Sequence, residues 1–79
     1  MFQLNTVHNE FTGLELGEFL EIIASHGLTV VHQEFDIEED ETYLTLQGTK
    51  EGFISWAEEG QEGGPSFNEE EFMEELTPV

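Results

Sequence analysis

Nineteen Asp and Glu residues stand against a single Lys or Arg in a chain of 79, a formal net charge of −18 at neutral pH. Whatever this sequence folds into must carry that charge on a small body, because small domains leave most of their surface in water and have only a modest core to offset repulsion. One domain spanning residues 1–79 is expected, and a large enzyme with a deep cleft is excluded. Apolar residues make up 37% of the chain, with seven Phe, Trp56 and Tyr43, which is too hydrophobic for a charged disordered tail. The charge also argues against direct binding to nucleic acid or an anionic membrane, since both require Lys and Arg. The expected partner is a basic protein.

The chain contains no cysteine, so disulfides and thiolate metal sites are excluded and the redox compartment is left open. Met1–Thr6 lacks the basic and apolar segments of a secretory signal, and no apolar run approaches membrane-spanning length. A soluble, cytoplasmic protein is expected.

Hydropathy patterning predicts an α+β domain in the order β-α-β-β-α-α, a small antiparallel sheet packed with two or three short helices. Phe2–Val7 suits an opening strand. Thr12 and Glu15 have the spacing of a capping box, which predicts a helix over Gly13–His26. Leu16, Phe19, Leu20 and Ile23 form its buried stripe, and Gly27 stands where a left-handed cap is wanted. Leu28–Ile37 reads as a strand with Val31, Phe35 and Ile37 of one parity, and Thr42–Gly48 as its antiparallel partner across an acidic loop. Thr49 can cap a short helix carrying Phe53, Ile54, Trp56 and Ala57 and ending near Gly60, with Gly52 weakening the helix and a third strand as the alternative for this segment. Gly60–Pro65 is loop by its glycines and proline. Asn68 caps a last helix, with Phe67 and Phe72 as a hydrophobic staple and with Phe72, Met73 and Leu76 facing inward; Pro78 ends the chain.

Solubility alone asks for a net charge magnitude of only about 2–8 in a small domain, with both signs interspersed. Here nearly every acid is unpaired. Glu15 and Glu69, Glu70 and Glu71 lie at helix starts, where the macrodipole favours them. Glu58, Glu59, Glu74 and Glu75 crowd the ends, where it opposes them by roughly 0.3–1 kcal/mol each. Total stability at this size is about 3–5 kcal/mol, so folding alone would not choose this placement. Glu69, Glu70, Glu71, Glu74 and Glu75 sit within about 10 Å of helix, roughly one charge per 2 Å, against about 1.7 Å of axis per charge in duplex DNA. Glu34, Asp36, Glu38, Glu39, Asp40 and Glu41 add six acids in eight residues at the hairpin. Two elements thus offer rows of carboxylate at phosphate-like spacing, suited to Lys and Arg that otherwise hold nucleic acid.

In size, composition and Glu-rich helix ends the chain resembles the small acidic phage-type inhibitors that imitate DNA, the anti-CRISPR and anti-restriction class. The resemblance is one of charge pattern and carries no shared motif. It implies a non-enzymatic inhibitor occupying the nucleic-acid-binding groove of a nuclease or defence complex, in the host cytoplasm if phage-encoded. The expected partner-binding residues are the six hairpin acids with Glu58, Glu59, Glu69, Glu70, Glu71, Glu74 and Glu75.

Other chemistry finds little support. Asp36–Gln47 fails as a calcium loop, because position 6 is Glu41 and not glycine and position 12 is Gln47. Neither a catalytic pair of contrasting carboxylates, nor a helical His pair for zinc, nor a P-loop is present, so no cofactor or metal is expected. His26 reads as a residue complementing a helix C-terminus, and His8 and His32 as strand or surface residues. Trp56 is more often core than contact surface. Two rival functions remain: an antitoxin or immunity-like protein plugging a toxin's active site through Trp56 or Tyr43, and an acidic structural or metal-buffering protein. Against the last, 17 of the 19 acids are Glu.

Overall fold

The computed structural model describes residues 1–61 and 68–79. Strand β1 (Phe2–His8) leads through a 3-10 turn (Glu10–Thr12) into helix α1 (Leu16–Ser25), then β2 (Thr29–Asp36) and β3 (Glu41–Gly48) form a hairpin. Helix α2 (Lys50–Trp56) runs into a wider π-helical turn (Ala57–Gln61), and α3 (Glu69–Glu75) is followed by the short strand β4 (Thr77–Pro78). The fold is α+β as expected, with one four-stranded antiparallel sheet in the order β2-β3-β1-β4. Both β1 and β2 pair antiparallel to β3, so they run parallel to each other with β3 between them, and α1 makes the crossing.

Alternation along β3 decides where the core sits. Thr42, Leu44, Leu46 and Gly48 are buried, while Tyr43, Thr45 and Gln47 point to the opposite face. The register of β1 on β3 places Leu4 beside Leu46 on the buried face, where Phe19 and Ile23 of α1, Phe53, Trp56 and Ala57 around α2, and Phe72 and Leu76 around α3 close over it. The rings of Phe19 and Trp56 meet edge to face, with centroids 6.4 Å apart. The helices therefore cover one face. The other is open, and hydrogen-bonded pairs cross it: Gln47 donates to Gln3 at 2.9 Å and Thr45 to Asn5 at 3.0 Å.

Several expectations hold. Gly27 has φ 77° behind α1. Thr49 accepts from the Gly52 amide at 3.1 Å and Asn68 from the Glu71 amide at 3.2 Å, so each side chain satisfies a donor that the first helical turn leaves unpaired. The alternative of a third strand after Thr49 gives way to helix. Two nearby expectations, the staple of Phe67 on Phe72 and most of the loop Gly60–Pro65, fall outside the described residues; Gly60 and Gln61 belong to the π-helical turn.

Other boundaries differ. The capping box is built from Asn9 and Thr12, not Thr12 and Glu15. Asn9 accepts from the Phe11 amide at 2.9 Å and its own amide donates to Thr12 Oγ1 at 3.0 Å. Gly13 then takes φ 81°, which ends the 3-10 turn, and α1 begins three residues later than predicted, at Leu16, with Glu15 making no side-chain cap. The shared parity of Val31, Phe35 and Ile37 is broken by a bulge at Val31, and Ile37 lies in the turn. Strand β4 has no signal in a two-residue segment; it exists because α3 returns the chain to β1, where Thr77 pairs with Gln3 and the Val79 amide donates to the Met1 carbonyl at 3.0 Å. Among the described residues no helix is long and apolar enough to cross a membrane.

Candidate partner-binding surface

Among the expected partner-binding acids, the six of the hairpin lie at one end of the sheet, and Glu58, Glu59, Glu74 and Glu75 lie toward the other. Asp36 and Glu41 are the last paired residues of the β2–β3 hairpin, and the opposite end of β3 is Gly48, seven residues and about 23 Å away. At that near end β4 pairs with Phe2 and Gln3, which holds the exposed Glu74 and Glu75, at the end of α3, beside the start of β1. Glu58 and Glu59 are exposed in the turn after α2, and Glu59 reaches His26, two residues before Leu28, so they belong to the near end as well. Glu69, Glu70 and Glu71 are exposed in the first turn of α3. The structure brings the hairpin acids together and Glu59 together with Glu74 and Glu75 only in the coarse sense of sharing an end.

Within the hairpin the six acids are not equivalent. Asp36 Oδ1 accepts from the amides of Glu38 and Glu39 at 3.0 and 3.3 Å, so its carboxylate holds the turn. Asp40 completes the turn at φ 52°, a left-handed conformation that Asp and Asn adopt more readily than other residues with a side chain. Glu41 is half-buried, accepting from Asn9 Nδ2 at 2.9 Å and from the Tyr43 hydroxyl at 3.3 Å, which ties the 3-10 turn to the sheet. Asp36 and Glu41 therefore do structural work, while Glu34, Glu38, Glu39 and Asp40 are exposed. Glu34 lies on the open face opposite Tyr43, 3.8 Å from His32 Nε2.

Tyr43 registers the field of this end. Its hydroxyl is pushed above the ordinary tyrosine range, first by the Glu41 charge, then by partial desolvation and by its hydrogen bond to Glu41, with Asp36 and Glu39 adding to the effect. Negative charge from both strands and from the turn therefore converges on one phenol.

Compensation is sparse. Among the described residues the ion-pair geometries are His26–Glu59 at 2.8 Å and His32–Glu34 at 3.8 Å, and no helix has a basic residue in its last turn. His26 is held from both sides: Nε2 donates to Glu59, and Nδ1 lies 2.9 Å from Ser55 Oγ. It thus fastens α1 to α2 and its following turn rather than merely facing a helix dipole. His8 Nε2 donates to the Leu14 carbonyl at 2.7 Å and its ring meets Phe19, a structural arrangement. No group of three or more His, Asp or Glu among the described residues is arranged to hold a metal.

What the sequence pattern missed is the apolar company of the hairpin acids. Ile37 is 82% exposed, Phe35 59% and Tyr43 42%, and Phe11, in the 3-10 turn that Asn9 ties to Glu41, is 87% exposed. Ile37 was legible in principle, since a residue enclosed by Asp36, Glu38, Glu39 and Asp40 in a four-residue turn has no interior to enter. Phe35 was not: it points to the helix-covered side of the sheet, paired with Thr42, but the helices stop short of this end of β2. Trp56, by contrast, is 1% exposed and belongs to the core, which removes it as a contact residue; its indole N–H has no hydrogen-bond partner among the described residues. Comparison with protein-family models, with curated proteins and with solved structures finds no match for the chain.

Proposed function

We propose that the protein is a non-enzymatic inhibitor, a DNA mimic of the anti-CRISPR or anti-restriction type, that occupies the basic nucleic-acid-binding groove of a nuclease or defence complex. The observation that carries this proposal is the run Glu38, Glu39 and Asp40 at the hairpin tip, exposed and without an ion-pair partner among the described residues, with Glu34 on its flank. Carboxylates in that position contribute nothing to packing and repel one another, so their use lies in what they attract. Lys and Arg that otherwise hold phosphate are the complementary groups. Glu58, Glu59, Glu69, Glu70, Glu71, Glu74 and Glu75 offer further charge along the molecule. The hairpin is the principal contact, because there the acids adjoin exposed apolar side chains that can be desolvated against a protein.

The test is displacement of fluorescent duplex DNA from a panel of restriction nucleases and RNA-guided nuclease complexes at rising salt. The inhibitor should release DNA at low salt and lose affinity by about tenfold or more toward high salt, because exposed charge pairs are screened. Reversing Glu38 and Glu39 to Lys should abolish release. Binding that leaves DNA in place and ignores salt would overturn the proposal.

The exposure of Tyr43, Phe35 and Ile37 favours a second reading, an antitoxin or immunity-like protein whose aromatic and aliphatic anchors plug a toxin while the acids speed association. Tyr43→Ala and Ile37→Ser separate the two: under the plug they remove most of the binding, and charge reversal slows association without abolishing it.

A further inference from the structure

The sheet has two edges, and they are unequal. On one side β4 is two residues long and pairs only with Phe2 and Gln3 of β1; on the other, β2 runs for eight and, among the described residues, has β3 alone as strand neighbour. A long open edge carries a row of backbone donors and acceptors ready to pair, and proteins usually shorten, bulge, charge or cover such an edge. Here β2 is exposed at Thr29 and again over residues 31–35, and among the described residues its safeguards are the bulge at Val31 and the carboxylates of Glu34 and Asp36.

We propose that β2 is a docking edge to which the basic partner adds a cationic strand. This rests on the inhibitor proposal only in taking the partner to be basic. The pleat specifies the strand's pattern. Glu34 and Asp36 lie on the open face with His32, whereas Gln33 and Phe35 lie on the helix side, so a fitting strand alternates Lys or Arg with apolar residues. Its cations stand beside Glu34 on one face, and its apolar residues cover Phe35 on the other, where the helical layer leaves that ring 59% exposed. A second copy is the wrong occupant, because two chains of formal charge −18 repel. The same carboxylates that keep the edge from pairing with itself select a cationic strand, which is how main-chain pairing acquires specificity.

The probe is a synthetic seven-residue peptide of alternating lysine and valine, compared with the same peptide N-methylated along both edges, which keeps its charge and removes its ability to pair. At physiological salt the unmodified peptide should slow hydrogen exchange of β2 amides by about tenfold or more, leaving α1 and β4 unchanged. The N-methylated peptide should bind about tenfold more weakly or worse, and Glu34→Lys should weaken the unmodified peptide similarly. Equal binding of the two peptides, protection spread over the whole molecule, or sedimentation showing β2 paired with a second copy would overturn the proposal. DNA displacement by the protein without protection of β2 sinks strand addition and leaves the groove proposal standing. Protection of β2 without DNA displacement does the reverse.

Discussion

The two ends of the β2–β3 hairpin are built from the same strands and do opposite things. At the near end a Cβ on Gly48 would meet the Leu28 side chain, which would have to shift, and a Cβ on Gly52 would lie 2.8 Å from the His26 carbonyl oxygen. Leu46, Phe53, Trp56 and Ala57 are fully enclosed beside them. At the far end, six acids on the turn and the strand ends beside it accompany exposed Ile37, Phe35 and Tyr43. Apolar surface at the near end stabilises the fold; at the far end it lies outside the fold, among charges that repel one another. The difference separates residues needed to fold from residues available to bind.

The largest expected contrast is between Trp56→Ala and Ile37→Ser. Emptying the Trp56 site should cost about 3–5 kcal/mol, comparable with the whole stability of a domain this small, and leave the chain largely unfolded by circular dichroism. Ile37→Ser should stay within about 0.5 kcal/mol of the parent. Urea midpoints that fall equally for both would erase the division between the two ends.

Two helical glycines sharpen it further. In α2, alanine is favoured over Gly52 by about 1 kcal/mol on helix propensity alone, yet Gly52→Ala should lower the melting temperature, because the new Cβ meets a backbone carbonyl that cannot move aside. In α1, Gly17 has nothing within 4 Å of where a Cβ would stand, so Gly17→Ala should stabilise by roughly 0.5–1 kcal/mol, a rise of several degrees. If both substitutions moved the midpoint in the same direction, the close approach at the near end would not be a determinant of stability.

The smallest effect is electrostatic. Absorbance titration should place the Tyr43 phenol above pH 10, and Glu41→Gln should bring it back toward 10 because it removes the strongest neighbouring charge. Since folding raises this pKa, any stability linked to it is fully present below pH 10 and is lost as pH rises through the folded value. A titration indistinguishable from free tyrosine would mean that the carboxylates at the far end do not act together.

Short-range signals were legible wherever one residue's chemistry sufficed: Thr49 and Asn68 as caps, Gly27 as a left-handed residue, Leu44 and Leu46 alternating with threonines, and Phe19 and Ile23 on a helical stripe. The first helix start was misplaced because Thr12 fits two capping boxes, and only the conformation of Gly13 and the tie from Asn9 to Glu41 choose between them. The acids were legible as a quantity but not as an arrangement. Two of the six at the hairpin, Asp36 and Glu41, turned out to hold the turn and the sheet.

Charge, caps, the hairpin and the α+β class follow from local sequence, because each depends on residues near one another along the chain. That β4 exists, that Trp56 is enclosed while Phe35 is not, that β2 forms an open edge, and that the hairpin acids stand across the sheet from Glu74 and Glu75 are matters of tertiary packing. Those outcomes depend on how far the helices reach across the sheet and on which strand stands last in it, and neither is encoded in local periodicity.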